Sequence, residues 1–183
     1  MALRATGAAG NDTFAGIENV VTGAGNDSLL GDGAANILIA GAGNDTISGG
    51  AGNDSLAGSD GHHRLDGGAN QDTLFGGDGI DSFCFTTALS ANNGDLVLGY
   101  SVADDTIMLD DAVFTSIGGL GTLAESAFVI GTTALTLSHR IIFNSTTGEL
   151  LYDADGIGAV AAIQFATLTS VIGSVTHAEF QII

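Results

Sequence analysis

A period of nine residues runs through the first half of this chain and limits what it can fold into. Asp27, Asp45, Asp54, Asp72 and Asp81 are spaced by 18, 9, 18 and 9 residues. In that frame, units begin at Thr22, Gly31, Ala40, Gly49, Gly58, Gly67 and Gly76. An earlier unit, residues 7–15, is set off from them by a six-residue spacer, residues 16–21. The eighth position of the unit is apolar throughout: Phe14, Leu29, Leu38, Ile47, Leu56, Leu65, Leu74 and Phe83. The sixth is Asp12, Asp27, Asn36, Asp45, Asp54, His63, Asp72 and Asp81. The fourth is glycine except at Ala34 and Asn70.

Nine residues are too few for a helical repeat, and glycine at this density opposes helix. Glycine supplies positive φ and close backbone approach, so the first six residues of each unit read as a turn. The last three, around the apolar eighth position, read as a short strand. A three-residue strand with one inward side chain has no stability alone. Stacked units solve this, because each backbone pairs with the coil above at about 4.8 Å and the apolar residues form a ladder. Two units per coil make a flattened solenoid with two parallel sheets, and every second unit then shares an edge. One edge carries Asp27, Asp45, His63 and Asp81; the other carries Asn36, Asp54 and Asp72.

Charge supplies the second constraint. The chain of 183 residues has a formal charge of -18, and its three basic residues are Arg4, Arg64 and Arg140. No basic footprint exists for nucleic acid or for an anionic membrane surface. No apolar run reaches the roughly 18 residues that a spanning helix needs. The single cysteine, Cys84, excludes an intrachain disulfide. With 45% apolar residues there is material for a core, provided that something neutralises the stacked carboxylates. Carboxylate and carbonyl oxygens are the donors that Ca²⁺ prefers, and a cation between two stacked turns finds an Asp from each, plus glycine carbonyls. The candidate ligands are Asp12, Asp27, Asp45, Asp54, Asp72, Asp81 and Asn36. The best sites are expected between the Asp27 and Asp45 turns and between the Asp54 and Asp72 turns. His63 is expected to weaken the sites against Asp45 and Asp81, and Asn36 offers an oxygen without charge. Asp12 precedes Asp27 by less than two full units. It stacks over Asp27 only if the spacer forms a shortened half-coil.

The units Gly49-Gly50-Ala51-Gly52-Asn53-Asp54-Ser55-Leu56-Ala57 and Gly76-Gly77-Asp78-Gly79-Ile80-Asp81-Ser82-Phe83-Cys84 resemble the nonapeptide of the repeats-in-toxin (RTX) hemolysin-type family. The resemblance implies a Ca²⁺-filled parallel β-roll in a secreted, extracellular protein, and export by a type I secretion apparatus. It also implies that acidic residues after the roll, such as Asp104-Asp105 and Asp110-Asp111, complete the last site.

Glycine and aspartate thin out after Phe85, where Val, Ile, Leu, Phe and Thr take over. Residues 7–84 are therefore read as the roll, and residues 85–183 as a β-rich cap that covers its open end. Within the cap, Ile141, Phe143, Leu150 and Tyr152 flank a turn at residues 144–148 and read as a hairpin. Residues 160–165 and 180–183 read as further strands. Thr122 and Glu125, and likewise Thr176 and Glu179, have capping-box spacing. Asp153-Ala154-Asp155-Gly156 reads as an acidic turn, since the rest of a twelve-residue Ca²⁺ loop is missing. The ending Glu179-Phe180-Gln181-Ile182-Ile183 is similar to a type I export signal, and the first residues lack the apolar core of a cleaved signal. No nucleophile elbow, phosphate loop or dinucleotide fingerprint is present. The sequence thus predicts an all-β, Ca²⁺-dependent folding and secretion module with no catalytic activity of its own. Two other functions fit the same pattern: a surface- or carbohydrate-binding adhesin module, and the tail of a longer secreted hydrolase.

Overall fold

The computed structural model describes residues 4–6, 13–15 and 18–183. Over the repeats the strands are β1 (Arg4–Thr6), β2 (Thr13–Ala15), β3 (Asn19–Val21), β4 (Ser28–Leu30), β5 (Ile37–Gly43), β6 (Thr46–Ala51), β7 (Ser55–Gly61), β8 (Arg64–Ala69), β9 (Thr73–Asp78) and β10 (Ser82–Phe85). Then follow β11 (Asp95–Leu98), β12 (Thr106–Leu109), β13 (Gly121–Thr122), β14 (Phe128–Ile130), β15 (Ile141–Phe143), β16 (Glu149–Tyr152), β17 (Ile163–Thr169) and β18 (Phe180–Ile182). Two 3-10 turns, Glu125–Ala127 and His177–Glu179, are the helical elements among the described residues.

Alternate units go to alternate sheets, as two units per coil require. One sheet has the order β1-β3-β5-β7-β9-β11-β17-β16-β15-β14, the other β13-β18-β12-β10-β8-β6-β4-β2. Neighbouring repeat strands are parallel and offset by two units: Thr46 pairs with Arg64, and Ser55 with Thr73. The eighth-position side chains face inward and stack in register. Leu29, Ile47, Leu65 and Phe83 line one sheet; Leu38, Leu56 and Leu74 line the other, and each is at most 1% exposed. Full burial of such a side chain contributes about 1.5–3 kcal/mol, so this ladder is the main apolar support of the roll.

The ladder does not stop at residue 85. Val97 stacks on Leu74 and then Leu168 on Val97. Across the core, Ile107 stacks on Phe83 and Phe180 on Ile107. Both sheets therefore pass through the boundary unbroken, with longer loops in place of the glycine turns.

Strands β5 to β9 are longer than the short strands expected. They run six or seven residues, into the glycine-rich half of the next unit. The reason is backbone pairing between stacked turns: Ala51 N–H donates to the Asp32 carbonyl at 2.9 Å, and Ala42 N–H to that of Gly23 at 2.9 Å. The second-position glycines Gly50 and Gly68 bend the chain at φ values of 97° and 96° while keeping these bonds. The spacer contains β3, which pairs with β5 at the usual offset, Asn19 opposite Ile37. Thr13 pairs with Ser28, so the first coil on that side is shorter than two full units. Asp12 itself lies outside the described residues.

In the C-terminal half the hairpin forms as read, β15 against β16, with Gly148 N–H donating to the Asn144 carbonyl at 2.7 Å. The strand expected over residues 160–165 instead opens at Ile163 and extends to Thr169, where it meets β11. The Thr176 capping box is present: Glu179 accepts from Thr176 N–H at 2.6 Å, and the Thr176 hydroxyl accepts from Ala178 N–H at 3.2 Å. The Thr122 box is not. Thr122 is drawn into β13 against β18, and the 3-10 turn begins at Glu125 behind Ala124, which has no capping side chain.

Candidate metal centre

The sixth position of each unit lies where the chain leaves the turn and enters the strand. The turn folds its side chain under the coil, so residues that ordinarily seek water are buried. Asp27, Asn36, Asp45, Asp54, His63, Asp72 and Asp81 are each no more than 3% exposed. They are held by a repeated bond to the backbone of the stacked turn. Asp27 N–H donates to Asp45 Oδ1 at 2.7 Å, Asn36 N–H to Asp54 Oδ1 at 2.7 Å, and Asp54 N–H to Asp72 Oδ1 at 2.7 Å. His63 N–H donates to Asp81 Oδ1 at 2.9 Å. The structure thus brings Asp27 onto Asp45 and Asp54 onto Asp72, the two pairings that the spacing predicted.

One oxygen of each carboxylate is used in this way. The second oxygens of Asp54, Asp72 and Asp81 are buried and have no hydrogen-bond partner. They do not point into empty apolar space. A Cβ placed on Gly49 would strike Asp54 Oδ2 and would also lie 2.5 Å from the Gly67 carbonyl oxygen. Cβ atoms on Gly67 and Gly76 would likewise strike Asp72 Oδ2 and Asp81 Oδ2. Glycine in the first position therefore keeps a small space open, faced by carboxylate and carbonyl oxygen. Among the described residues, no three His, Cys, Asp or Glu side chains gather around one point. A cation in the turns has to be completed by backbone carbonyls, as the nonapeptide's glycines allow. The donor set is all oxygen and fits Ca²⁺.

The electrostatics point the same way. Two carboxylates about 4.8 Å apart repel by roughly 3 kcal/mol at an effective dielectric constant of about 20. Burial pushes the Asp54 and Asp81 carboxyls above their usual range, and that of Asp72 up to about 6. A folded roll without a counterion holds these groups in an environment that disfavours their charge.

The Asn36 amide oxygen faces Gly31 as Asp54 Oδ2 faces Gly49, and it carries one hydrogen bond there, which leaves it a second lone pair. The bond comes from Asp32 N–H at 2.9 Å, so the amide closes its own turn.

Two residues of the ladders escape the nine-residue frame. Asp72 N–H donates to Asp95 Oδ1 at 3.1 Å, and Asp81 N–H to Asp105 Oδ1 at 3.1 Å. Asp95 and Asp105 thus occupy the sixth position of the next coil on each edge. Burial pushes the Asp95 carboxyl up to about 8 and raises that of Asp105. Asp105 is further fixed by Ser101 N–H on Oδ2 at 2.8 Å. The signal that finds them is local: Asp95-Leu-Val97 and Asp105-Thr-Ile107 repeat the order of Asp72-Thr-Leu74, an acid two residues before a buried aliphatic.

The other singled-out residues have structural roles. Asp153 Oδ1 accepts from Asp155 and Gly156 N–H at 3.2 and 2.9 Å, an acidic turn closed on itself. Cys84 is buried, which pushes its thiol up to about 12, so it is a packed side chain and not a nucleophile.

The family comparison agrees with this geometry. The profile of the RTX calcium-binding nonapeptide repeat (4 copies) matches residues 12–47, 30–62 and 48–83. The chain is also similar to the solution structure of the AlgE6R3 subunit from the Azotobacter vinelandii mannuronan C5-epimerase. That likeness has 22% identity, covers 88% of this chain and 72% of that chain, and has a TM-score of 0.41. No curated protein matches the chain.

Proposed function

We propose that this chain, whose residues 12–83 are RTX calcium-binding nonapeptide repeats, is a calcium-dependent folding module of a secreted protein, with no catalytic activity of its own. The observation that carries the reading is the set of buried second oxygens on Asp54, Asp72 and Asp81, aimed at glycine-lined spaces. Asp27 and Asp45 supply the matching carboxylates on the other edge, and Asp95 and Asp105 extend the two ladders. Residues 7–84 form the calcium-binding roll. Residues 85–183 form its cap: they add strands to both sheets and cover the edges that β9 and β10 would otherwise expose.

At low cytosolic Ca²⁺, carboxylate repulsion keeps the roll unfolded and fit for export by a type I apparatus. Outside the cell, Ca²⁺ fills the turns and the chain folds. Extracellular modules of this kind have Kd values of about 10⁻⁴–10⁻³ M. At about 100 times Kd, each filled site contributes roughly 2.7 kcal/mol. A few sites are then decisive for a domain of this size.

The test is Asp54→Ala, followed by a Ca²⁺ titration of folding. The substitution removes the carboxylate between the Asn36 and Asp72 turns, so the Ca²⁺ midpoint is expected to rise several-fold. An unchanged midpoint would remove the site assignment.

A further inference from the structure

On the edge that carries Asp27, Asp45, His63 and Asp81, the two steps that share His63 differ from the rest in their donor atoms and in little else. The backbone at His63 keeps the geometry of its neighbours: Arg64 N–H donates to the Asp45 carbonyl at 2.9 Å, and Ser82 N–H to the His63 carbonyl at 2.8 Å. The imidazole takes the place of a carboxylate inside the coil. The side chains of His63 and Asp45 are both 0% exposed, and His63 Nδ1 stands 3.2 Å from Asp45 Oδ2. That is ion-pair distance, yet neither ring nitrogen has an aligned hydrogen bond, and neither does that carboxylate oxygen. Two polar atoms that approach so closely without an aligned hydrogen bond are placed like two ligands of one ion. Bonds of about 2.0 Å to a tetrahedral metal put the donors roughly 3.3 Å apart.

We propose that the Asp45–His63 step binds a borderline divalent cation of the Zn²⁺ or Co²⁺ type, within a roll whose Asp–Asp steps are hard, all-oxygen calcium sites. The inference rests on that calcium reading for the rest of the roll. A neutral imidazole nitrogen is a poor ligand for Ca²⁺ and a good one for these metals. Asp45 Oδ2 and an imidazole nitrogen supply two donors; turn carbonyls and water complete the shell. A Cβ on Gly58 would strike His63 Cδ2, so the first residue of its own turn packs against a carbon edge of the ring. His62 is not part of the site. Its Nδ1 accepts from Ile80 N–H at 2.8 Å, on the exposed side of the turn.

Co²⁺ is the probe, because its visible absorption reports nitrogen and oxygen ligation. The protein is used without a polyhistidine tag and saturated with Ca²⁺ before titration. The parent chain is expected to take up one equivalent of Co²⁺ with a tetrahedral-type spectrum. His63→Asp restores the repeat pattern, so the roll stays folded. It should lose the Co²⁺ band and gain one bound Ca²⁺. His62→Ala should bind Co²⁺ like the parent. If the calcium-loaded parent shows no Co²⁺ band, or if His63→Asp keeps it, the proposal is overturned. Failure of the calcium reading looks different: Ca²⁺ stoichiometry falls in all three proteins, while the dependence of the Co²⁺ band on His63 is read separately.

Discussion

Gly68→Ala is expected to abolish the calcium-induced β transition at ion concentrations that fold the parent chain. Gly68 has φ of 96°, a region that costs an alanine about 1–3 kcal/mol. Its Cβ would run into the Gly50 carbonyl oxygen of the coil below, with the Gly50 carbonyl carbon at 2.9 Å and nitrogen at 3.1 Å. These are backbone atoms of a paired strand, Gly50 opposite Gly68, so no side chain can swing away. Relief requires the coils to part, which adds an overpacking cost of about 1–3 kcal/mol and widens the spacing that the cation sites depend on. The sum, about 2–6 kcal/mol, is comparable with the whole stability of a small domain. Gly33→Ala is the control. A Cβ there meets nothing within 4 Å, and stability should change by no more than about 0.5 kcal/mol. Circular dichroism against Ca²⁺ concentration separates the two, and equal midpoints would refute the stacked-turn account.

Leu65→Ala should have the next largest effect. Leu65 is fully buried and stacks between Ile47 and Phe83. Its truncation leaves a cavity in a ladder that has no side-chain redundancy, at about 2–5 kcal/mol. That loss equals roughly one or two filled calcium sites, so more Ca²⁺ is needed to fold the chain and the midpoint rises. The apolar ladder and the acidic ladders are thus linked through one folding equilibrium, and a change in either is read on the same axis. Leu30, on the outer face and 49% exposed, should tolerate alanine with little change in midpoint.

The roll was legible because its period is strict. Once Asp27, Asp45, Asp54, Asp72 and Asp81 fix the frame, a nine-residue unit taken twice per coil dictates the register between strands. It also dictates the inward column from Leu29 to Phe83 and the stacking of Asp54 on Asp72. Legibility ends where the period does. Asp95 lies 23 residues after Asp72, and Asp105 lies 24 after Asp81, because the intervening loops are longer than a glycine turn. The short acid-x-aliphatic pattern marks both, but without a fixed spacing nothing in the sequence says which coil each joins. The same holds for β17 and β18, whose partners β11 and β12 lie far earlier in the chain. Their pairing is a tertiary choice with no local signature. Thr122 illustrates the limit from the other side: a sound capping pattern lost to a strand pairing with Gln181.

The central claim is that calcium and the carboxylate ladders fold this chain together. It is tested most directly by far-UV circular dichroism of the EDTA-treated protein titrated with Ca²⁺. A cooperative coil-to-β transition between sub-millimolar and millimolar Ca²⁺, not reproduced by equal Mg²⁺, is the predicted result. A complete β spectrum already present in EDTA would contradict it, and would mean that the apolar ladder alone holds the roll.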